Sequence, residues 1–386
     1  MPVKNRLAQM LPEITEWRHD IHTHPELMFE VHRTAAKVAD LLRAFGCDEV
    51  VEGLGRTGVV GVIKGKSAGS GRTVGLRADM DALPIMEDTG VDYASQTPGV
   101  MHACGHDGHT SMLLGAAKYL AETRNFDGTA VVIFQPAEEG GGGGRVMCEE
   151  GMMDRFGIDE VYGMHNWPGH DVGTFAIRSG PFFAATDEFE ITVEGKGGHA
   201  AKPHEAIDST VVASHLVIAL QTIASRNIDP TEQVVVSVTS FETSSTAYNV
   251  LPQRVVLRGT ARTLDAAIRK DVAERITTIA TGIAASFGAV ATVDYQLGYP
   301  VMVNHARETE YAIEAATKIS GSCAHSPLIM GGEDFAYMLE ERPGAYILIG
   351  NGDSAPVHHP KFNFNDEAIP AGSSWYVEMV ESRLSA

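Results

Sequence analysis

Residues 101–110 combine three histidines, one cysteine and one aspartate, in the order Met-His-Ala-Cys-Gly-His-Asp-Gly-His-Thr. Thiolate, imidazole and carboxylate groups are the side chains that bind divalent transition metals in proteins. Cys104 and His106 lie two positions apart, and at this spacing an extended or turning backbone can direct both side chains toward one point. The pattern predicts that this segment ligates a metal ion. The alternative is a chance cluster of loop histidines.

A pair of adjacent acids, Glu138 and Glu139, follows an apolar run at 129–134 and precedes five consecutive glycines. Neighbouring carboxylates at the end of a strand can point to different sides, so that one ligates a metal while the other acts as a base. Such a base would take a proton from water at the metal and later deliver it to a leaving nitrogen. The glycines favour this interpretation over two solvated surface acids, because they let the backbone approach a ligand closely.

His165 and His358 are candidate ligands from distant parts of the chain. His165 ends an apolar run at 160–164, and His358 lies in a loop after the apolar run at 345–349. A single histidine is more often a surface residue or a hydrogen-bonded core residue than a ligand. Neither residue would be assigned to a metal from its own position alone.

Three further residues could contact a substrate. His199 lies in the glycine-rich segment Gly195-Lys-Gly-Gly-His199 and could donate a hydrogen bond to a developing oxyanion, the alternative being an ordinary hairpin turn. The guanidinium of Arg262 suits a carboxylate, although most arginines are solvated. Asn249 is a further candidate for a substrate contact, and for both Asn249 and Arg262 the sequence evidence is weaker than for His199.

The elements that carry these residues alternate between strands and helices. Apolar patterns predict helices at 5–22, 31–45, 111–123 and 145–156, and strands at 58–63, 72–77, 129–134 and 160–164. Each of the last three strands ends in polar residues, and in a parallel α/β sheet the ligand site lies beyond the carboxyl ends of the strands. We therefore expect a mixed, mostly parallel sheet with the candidate site at one edge.

The pattern changes near residue 183 and returns to its first character near residue 300. Between these positions, strands and helices follow the order β-α-β-β-α-β, which is typical of a ferredoxin-like unit. The sequence predicts a discontinuous catalytic domain, residues 1–182 and 298–386, interrupted by an inserted α+β domain at residues 183–297.

Composition excludes several classes of partner. The 386 residues carry a formal charge of −20, whereas nucleic acid and anionic membranes attract basic surfaces. We see neither an apolar signal core nor a run of transmembrane length, and the four cysteines are scattered singly; both observations predict a cytoplasmic protein. The segment Gly53-Leu-Gly-Arg-Thr-Gly58 matches a dinucleotide motif, but a strand pattern follows it where a helix is required.

Together these motifs resemble the hippurate hydrolase and indole-acetyl-amino-acid hydrolase branch of the aminoacylase and glutamate carboxypeptidase metallopeptidases. The resemblance covers nearly the whole chain. It is carried by Leu76-Arg-Ala-Asp-Met-Asp-Ala-Leu-Pro84, His102-Ala-Cys-Gly-His-Asp-Gly-His109, Gln135-Pro-Ala-Glu-Glu-Gly140, Met164-His-Asn-Trp-Pro168, Gly197-Gly-His-Ala200, Asn249-Val-Leu-Pro252, Gly332-Glu-Asp-Phe335 and His358-His-Pro360.

The resemblance implies roles for the individual residues. Two divalent ions would be held by Cys104, His106, Glu139, His165 and His358, with Cys104 as a plausible bridge. Glu138 would be the general base and acid, and His199 would stabilise the oxyanion, supplied across a dimer formed by the inserted (lid) domains. Asn249 and Arg262 would help to hold the substrate. Asp79 stands where the wider family often has a ligating histidine, so Asp79 and Asp81 are expected to orient ligands instead.

The activity implied by the resemblance is metal-dependent hydrolysis of N-acyl amino acids, of the hippurate, N-acetyl or indole-acetyl type, to a carboxylate and a free amino acid. The donor set suits Zn, Mn, Co or Ni. The expected assembly is a homodimer, with a tetramer as the alternative. A dipeptidase or carboxypeptidase using the same dinuclear centre is the main alternative function, and a non-catalytic metal-binding protein is a remote one.

Overall fold

The computed structural model describes residues 4–385. Helices occupy Asn5–Thr23 (α1), His32–Phe45 (α2), His106–Thr123 (α3), Gly143–Glu149 (α4), Met152–Arg155 (α5), Ser209–Thr222 (α6), Ala266–Ser286 (α7), Ala306–Ser320 (α8), Ala336–Glu341 (α9) and Ile369–Arg383 (α10). Strands occupy Glu49–Leu54 (β1), Gly58–Lys64 (β2), Thr73–Asp79 (β3), Thr129–Gln135 (β4), Glu160–Trp167 (β5), Phe175–Ile177 (β6), Gly180–Phe183 (β7), Ala185–Glu194 (β8), Gly198–His199 (β9), Val234–Thr243 (β10), Val250–Leu251 (β11), Arg254–Thr263 (β12), Val290–Leu297 (β13), Met302–Asn304 (β14), Cys323–His325 (β15) and Gly344–Gly350 (β16).

The described residues form two compact units. The first contains the chain up to Gly180, residues 303–327 and the chain from Asp334 onward. The second contains Pro181–Met302 and Leu328–Glu333. Within the second unit, the backbone amide of Ala184 donates to the carbonyl oxygen of Ile329 at 3.0 Å, so the short returning segment is hydrogen-bonded to the inserted part of the chain.

An eight-stranded mixed sheet forms the centre of the first unit, in the order β1-β2-β4-β3-β5-β16-β6-β15. The four central strands, β4, β3, β5 and β16, run parallel to one another. Strands β3 and β16 are buried along their whole length. Because both faces of such strands are buried, their sequences do not alternate regularly between apolar and polar residues. The predicted mixed, mostly parallel sheet is confirmed.

Helices α1, α2, α3, α8 and α10 pack with the sheet into one apolar core. Ile14, Val38, Leu113, Ala316 and Trp375, one from each of these helices, are fully buried in it. Because α3 is buried along most of its length, its first turn is held firmly at the edge of the sheet where the parallel strands end.

The second unit contains a four-stranded antiparallel sheet in the order β10-β12-β8-β13. Along the chain its elements follow the order β8-α6-β10-β12-α7-β13, which is the ferredoxin-like arrangement predicted for the insert. Apolar residues of both helices and of the sheet share one core. Asp208 and Asp265 cap the two helices by accepting hydrogen bonds from the first backbone amides.

Two helices differ from their predicted extents. The helix predicted at 145–156 is divided into α4 and α5 by Gly151, whose φ of 79° is left-handed and ends the first segment. Helix α3 begins at His106 rather than at Ser111, so His106 and His109 lie in its first turn. Among residues 4–385 there is no helix whose length and apolar character would let it cross a bilayer.

Candidate metal centre

The candidate site is built where the four central strands end. Glu138 and Glu139 follow β4, and Asp79 and Asp81 lie at and just after the end of β3. His165 lies in the last part of β5, and His358 is in the loop that follows β16. Since these strands are neighbours in the order β4-β3-β5-β16, their carboxyl ends bring residues from distant parts of the sequence to one edge.

All five predicted ligands and Glu138 meet at this edge. Potential ligand atoms lie within 4.8 Å of one another in each of three overlapping groups. These groups are Cys104, His106 and His165; Cys104, Glu139 and His358; and His106, Glu138 and Glu139. Cys104 belongs to two of these groups. The groups share members and therefore form one continuous cluster, large enough in donor number for more than one ion.

The hydrogen bonds of His106 leave one ring nitrogen directed into the cluster. Its Nδ1 lies 3.3 Å from Oδ1 of Asp81, so Nδ1 is the donor, and Nε2 carries the lone pair once the ring is neutral. In the part of the chain that the structure describes, this buried Nε2 has no hydrogen-bond partner, and Oε1 of Glu139 lies 3.9 Å from it. The same oxygen lies 3.3 Å from Nε2 of His358, so two imidazole nitrogens and a carboxylate oxygen converge where a cation would fit.

His165 is oriented in the same way. Its Nδ1 donates to the carbonyl oxygen of Asn166 at 2.6 Å, which leaves the lone pair of Nε2 directed toward Sγ of Cys104, at 3.3 Å. A histidine ligand whose second nitrogen is fixed by a carbonyl or carboxylate is the usual arrangement around protein metals. The donor chemistry of the cluster, sulfur with imidazole and carboxylate, fits borderline divalent ions such as Zn²⁺.

Asp81 holds both His106 and the Glu138–Glu139 pair in place. Its two carboxylate oxygens accept hydrogen bonds from the backbone amides of Glu138 and Glu139, both at 3.1 Å. The Glu138–Glu139 turn begins at Ala137, a non-glycine residue with a left-handed φ of 54°. His358 has a similar φ of 65°. Backbone strain of this kind persists only where surrounding contacts impose it, and it is concentrated at functional sites.

Burial and the surrounding carboxylates shift the pKa values of the thiol and of an imidazole in the cluster. Burial and the nearby Glu139 and Glu138 raise the pKa of the Cys104 thiol well above its usual value. Burial also disfavours protonation of His106, but Asp79 and Asp81 outweigh it and raise the pKa of His106 to about 10. The side chains thus hold protons that bound divalent ions would displace, since a coordinated thiol is deprotonated.

The predicted substrate residues lie in the second unit. His199 on β9 pairs with Val250 on β11, and the amide of Ala200 donates to the carbonyl oxygen of Asn249 at 3.0 Å. His199 and Asn249 line one open surface depression. Arg262 lines a different depression with Glu188, Glu190 and Arg258. Within one chain, the structure brings His199 and Asn249 together and leaves Arg262 apart from them.

Four residues near the cluster were given no individual role in the sequence analysis: Arg77, His109, Asn166 and Asp334. Arg77 is fully buried, and its guanidinium donates to Oδ2 of Asp79 at 2.6 Å and to Oδ1 of Asp334 at 2.9 Å. Asp334 also accepts from Gln135 and from the amide of Gly144. His109 could have been found from its spacing, because residues three positions apart on a helix lie on the same face, which places His109 beside His106.

Comparison with known proteins identifies the family. The model of peptidase family M20/M25/M40 matches residues 75–382. The chain belongs to this family. It is 41% identical to hippurate hydrolase of Campylobacter jejuni over 371 residues, covering 95% of each chain, and 40% identical to N-acetyl-L-cysteine deacetylase of Bacillus subtilis over 381 residues, covering 98% of this chain and 90% of the other.

A solved structure in the M20 family has the same fold. The dinuclear metal-binding peptidase of Bacillus subtilis superposes with a TM-score of 0.86 at 34% identity, covering 98% of this chain and 99% of the other. The family predicted from the motifs is confirmed, and divalent metal ions are the cofactor that the M20 membership and the donor cluster support together.

Proposed function

We propose that this chain hydrolyses the amide bond of N-acyl amino acids and releases a carboxylate and a free amino acid. The observation that carries the proposal is the position of Glu138: it is buried, it lies next to Glu139 of the ligand cluster, and its backbone is fixed by Asp81. The likeness to a hippurate hydrolase and to an N-acetyl-L-cysteine deacetylase over almost the whole chain supports an N-acyl amino acid as the substrate.

The residues divide the reaction between them. Cys104, His106, Glu139, His165 and His358 would hold two divalent ions, which would supply a Lewis acid for the amide carbonyl and lower the pKa of water. Glu138 takes a proton from the attacking water as the water oxygen bonds to the carbonyl carbon. Glu138 then delivers that proton to the nitrogen as the carbon–nitrogen bond breaks. Asp81 holds His106 and the Glu138–Glu139 backbone in place throughout.

A panel of substrates tests the proposal. Metal-stripped protein would be reconstituted in turn with Zn, Mn, Co or Ni and assayed on benzoyl-glycine, N-acetyl and indole-acetyl amino acids. We expect hydrolysis that depends on the added ion and ranks both the acyl groups and the metals. Hydrolysis that persists without an ion, or no hydrolysis of any acylated amino acid with all four, would refute it.

A dipeptidase or carboxypeptidase is the second candidate, because the similar Bacillus subtilis structure is described as a peptidase. The two functions differ in the group beyond the scissile bond, which is an uncharged acyl group in one case and a charged amine in the other. Comparing benzoyl-glycine with glycyl-glycine separates them, since only a peptidase would prefer the free amine.

The inserted unit, residues 183–297 in our assignment, is proposed to form a homodimer, with a tetramer as the alternative assembly. In such a dimer, His199 of one subunit would stabilise the oxyanion in the site of its partner, and Asn249 and Arg262 would contact the substrate. The exposure of His199 on a short two-stranded ribbon supports this role. A cytoplasmic location is supported by four free cysteines, which suit a reducing compartment.

A further inference from the structure

Both ring nitrogens of the buried residue His109 are engaged by protein groups. The backbone amide of Asn166 donates to Nε2 at 2.9 Å, and a backbone N–H can only donate, so Nε2 is the acceptor. The proton of the ring is therefore on Nδ1, which lies 2.7 Å from Oδ1 of Asp79. With both nitrogens used in this way, His109 acts as a connector between Asp79 and Asn166.

Asn166 extends this connection to the first predicted ligand. Its side-chain nitrogen lies 3.0 Å from Nε2 of His109 and donates to the carbonyl oxygen of Cys104 at 2.5 Å. The atom facing that carbonyl must be nitrogen, because a second oxygen would repel it. The approach depends on Gly105, where a Cβ atom would lie 2.3 Å from the Asn166 nitrogen.

Asp79 anchors the other end of the connection to the sheet. Its Oδ2 atom accepts from Arg77, and its carbonyl oxygen accepts from the hydroxyl of Thr110 at 2.7 Å. Asn166 directly follows His165 in the chain, so the same set of hydrogen bonds fixes β3, the Cys104 segment and the His165 segment against one another. These hydrogen bonds therefore hold the two segments in which Cys104 Sγ and His165 Nε2 lie 3.3 Å apart.

We propose that His109 is a positioning residue of the metal centre, which sets the relative placement of Cys104 and His165 without binding an ion itself. The proposal rests on the ligand set of the proposed function. Histidine suits the position because one rigid ring donates on one side and accepts on the other. Asparagine can reproduce only the donor to Asp79, and glutamine only the acceptor for Asn166.

Ion binding to the metal-stripped protein tests this role, with Zn²⁺ and Co²⁺ as the probes. We expect His109→Phe to weaken binding about 10- to 100-fold, the range found when partners that orient metal ligands are removed. His109→Asn and His109→Gln should each show a smaller loss. The absorption of the Co²⁺-loaded protein that arises from the thiolate should shift, because the geometry at Cys104 changes while two ions still bind.

His305→Asn is the matched control. The Nδ1 atom of His305 also accepts a backbone N–H, that of Gly344 at 3.2 Å, and the backbone of His305 is hydrogen-bonded to Gly344 and Thr309 at the start of α8. This variant should keep the wild-type ion affinity. Wild-type affinity in folded His109→Phe would overturn the proposal. So would binding of one ion instead of two, because His109 would then be a direct ligand.

If His109→Phe does not fold, a double-mutant cycle of His109→Gln and Asn166→Ala replaces it. Connected residues should give a combined loss of affinity smaller than the sum of the separate losses, and additive losses would overturn the proposal. The outcome is distinguishable from failure of the proposed function. A wild-type protein that binds two ions but cleaves no N-acyl amino acid would refute the activity, while the ion-affinity comparison would still decide the role of His109.

Discussion

The Sγ atom of Cys104 lies 3.3 Å from Nε2 of His165, although 60 residues separate the two in the sequence. One residue precedes the first turn of α3, and the other is near the end of β5. The contact exists because α3 is packed into the core with its first turn at the carboxyl edge of a parallel sheet. It places a soft sulfur donor and an oriented imidazole at one point, which is the basis for the predictions that follow.

Replacing the sulfur with oxygen should change the metal preference of the centre. We expect Cys104→Ser to weaken Zn²⁺ and Co²⁺ binding more than Mn²⁺ binding, because thiolate is the softer ligand. Titration of stripped protein with each ion, read by equilibrium dialysis, measures the change. Cys148→Ser is the control, since Cys148 is also buried but belongs to none of the ligand groups. Equal weakening for all three ions would contradict this prediction.

Glu138 and Glu139 should respond differently to the same substitution. In Glu138→Gln the ions remain bound while kcat falls by roughly 10²- to 10⁴-fold, the contribution of a general acid–base group. Glu139→Gln should lose ion affinity as well as activity, because its Oε1 lies 3.3 Å from Nε2 of His358 and 3.9 Å from Nε2 of His106. Ion content and turnover measured on the same samples separate the two effects. A Glu138→Gln protein with wild-type kcat would remove this residue from the mechanism.

Gly105→Ala should destabilise the protein beyond the ordinary cost of a left-handed backbone. Gly105 has φ of 89°, and a Cβ atom there would lie 2.3 Å from the side-chain nitrogen of Asn166. Gly90 has a comparable φ of 73° with no atom within 4 Å, so Gly90→Ala reports the backbone cost alone, about 1–2 kcal/mol. Urea unfolding should show an additional loss of about 1–3 kcal/mol for Gly105→Ala. Equal losses of stability for the two variants would mean that the Asn166 side chain moves away from the added Cβ atom without an energetic penalty.

Stability should depend on pH through His22, a buried residue of α1. Its Nδ1 lies 2.8 Å from Asp107 and its Nε2 lies 3.2 Å from Glu87. Burial disfavours the charged ring, but these carboxylates outweigh it and raise the pKa of His22 to about 9. The raised pKa means that His22 stabilises the folded state fully below about pH 6.5, its value in the unfolded chain, and that the contribution is lost as pH rises through about 9.

Urea unfolding of the wild type and His22→Gln at pH 6 and pH 9.5 measures this effect. Both proteins would be kept in a chelator, so that the pH dependence of metal binding does not enter the comparison. At pH 6 the free energy of unfolding should be larger for the wild type than for His22→Gln, by up to roughly 3 kcal/mol, and this difference should shrink at pH 9.5. A difference that stays constant between the two pH values would show that the charge of His22 carries none of the stability.

His165 and His358 were assigned only through the family resemblance, but the other members of the cluster could be identified as site candidates from the sequence because their residue types are rare in combination. Glu138 and Glu139 are an example, since the buried strand before them and the glycines after them are both visible in the sequence. Arg77 and Asn166 could not be predicted in this way. Arg77 lies within an apolar strand, and its partners Asp79 and Asp334 are brought to it only by tertiary folding. Hydrogen bonds between distant segments leave no periodic signal in the sequence.

The two-part helix at 143–155 shows a second limit. Apolar spacing continues across Gly151, and the sequence pattern alone does not reveal that this glycine takes a left-handed conformation. The ferredoxin-like insert was predictable for the opposite reason, because its long strands alternate regularly and its helices begin at capping aspartates.

The amide of His358 donates to the carbonyl oxygen of Ala103 at 2.7 Å, so the loop after β16 is tied to the Cys104 segment by protein contacts alone. An ion shared by Cys104 and His358 would add a second, removable tie across the same long loop of chain. Closing so long a loop restricts the unfolded ensemble much as a disulfide does, but reversibly and under the control of ion concentration. A chelator should therefore speed amide hydrogen exchange around residues 351–365 before the helices of the core open.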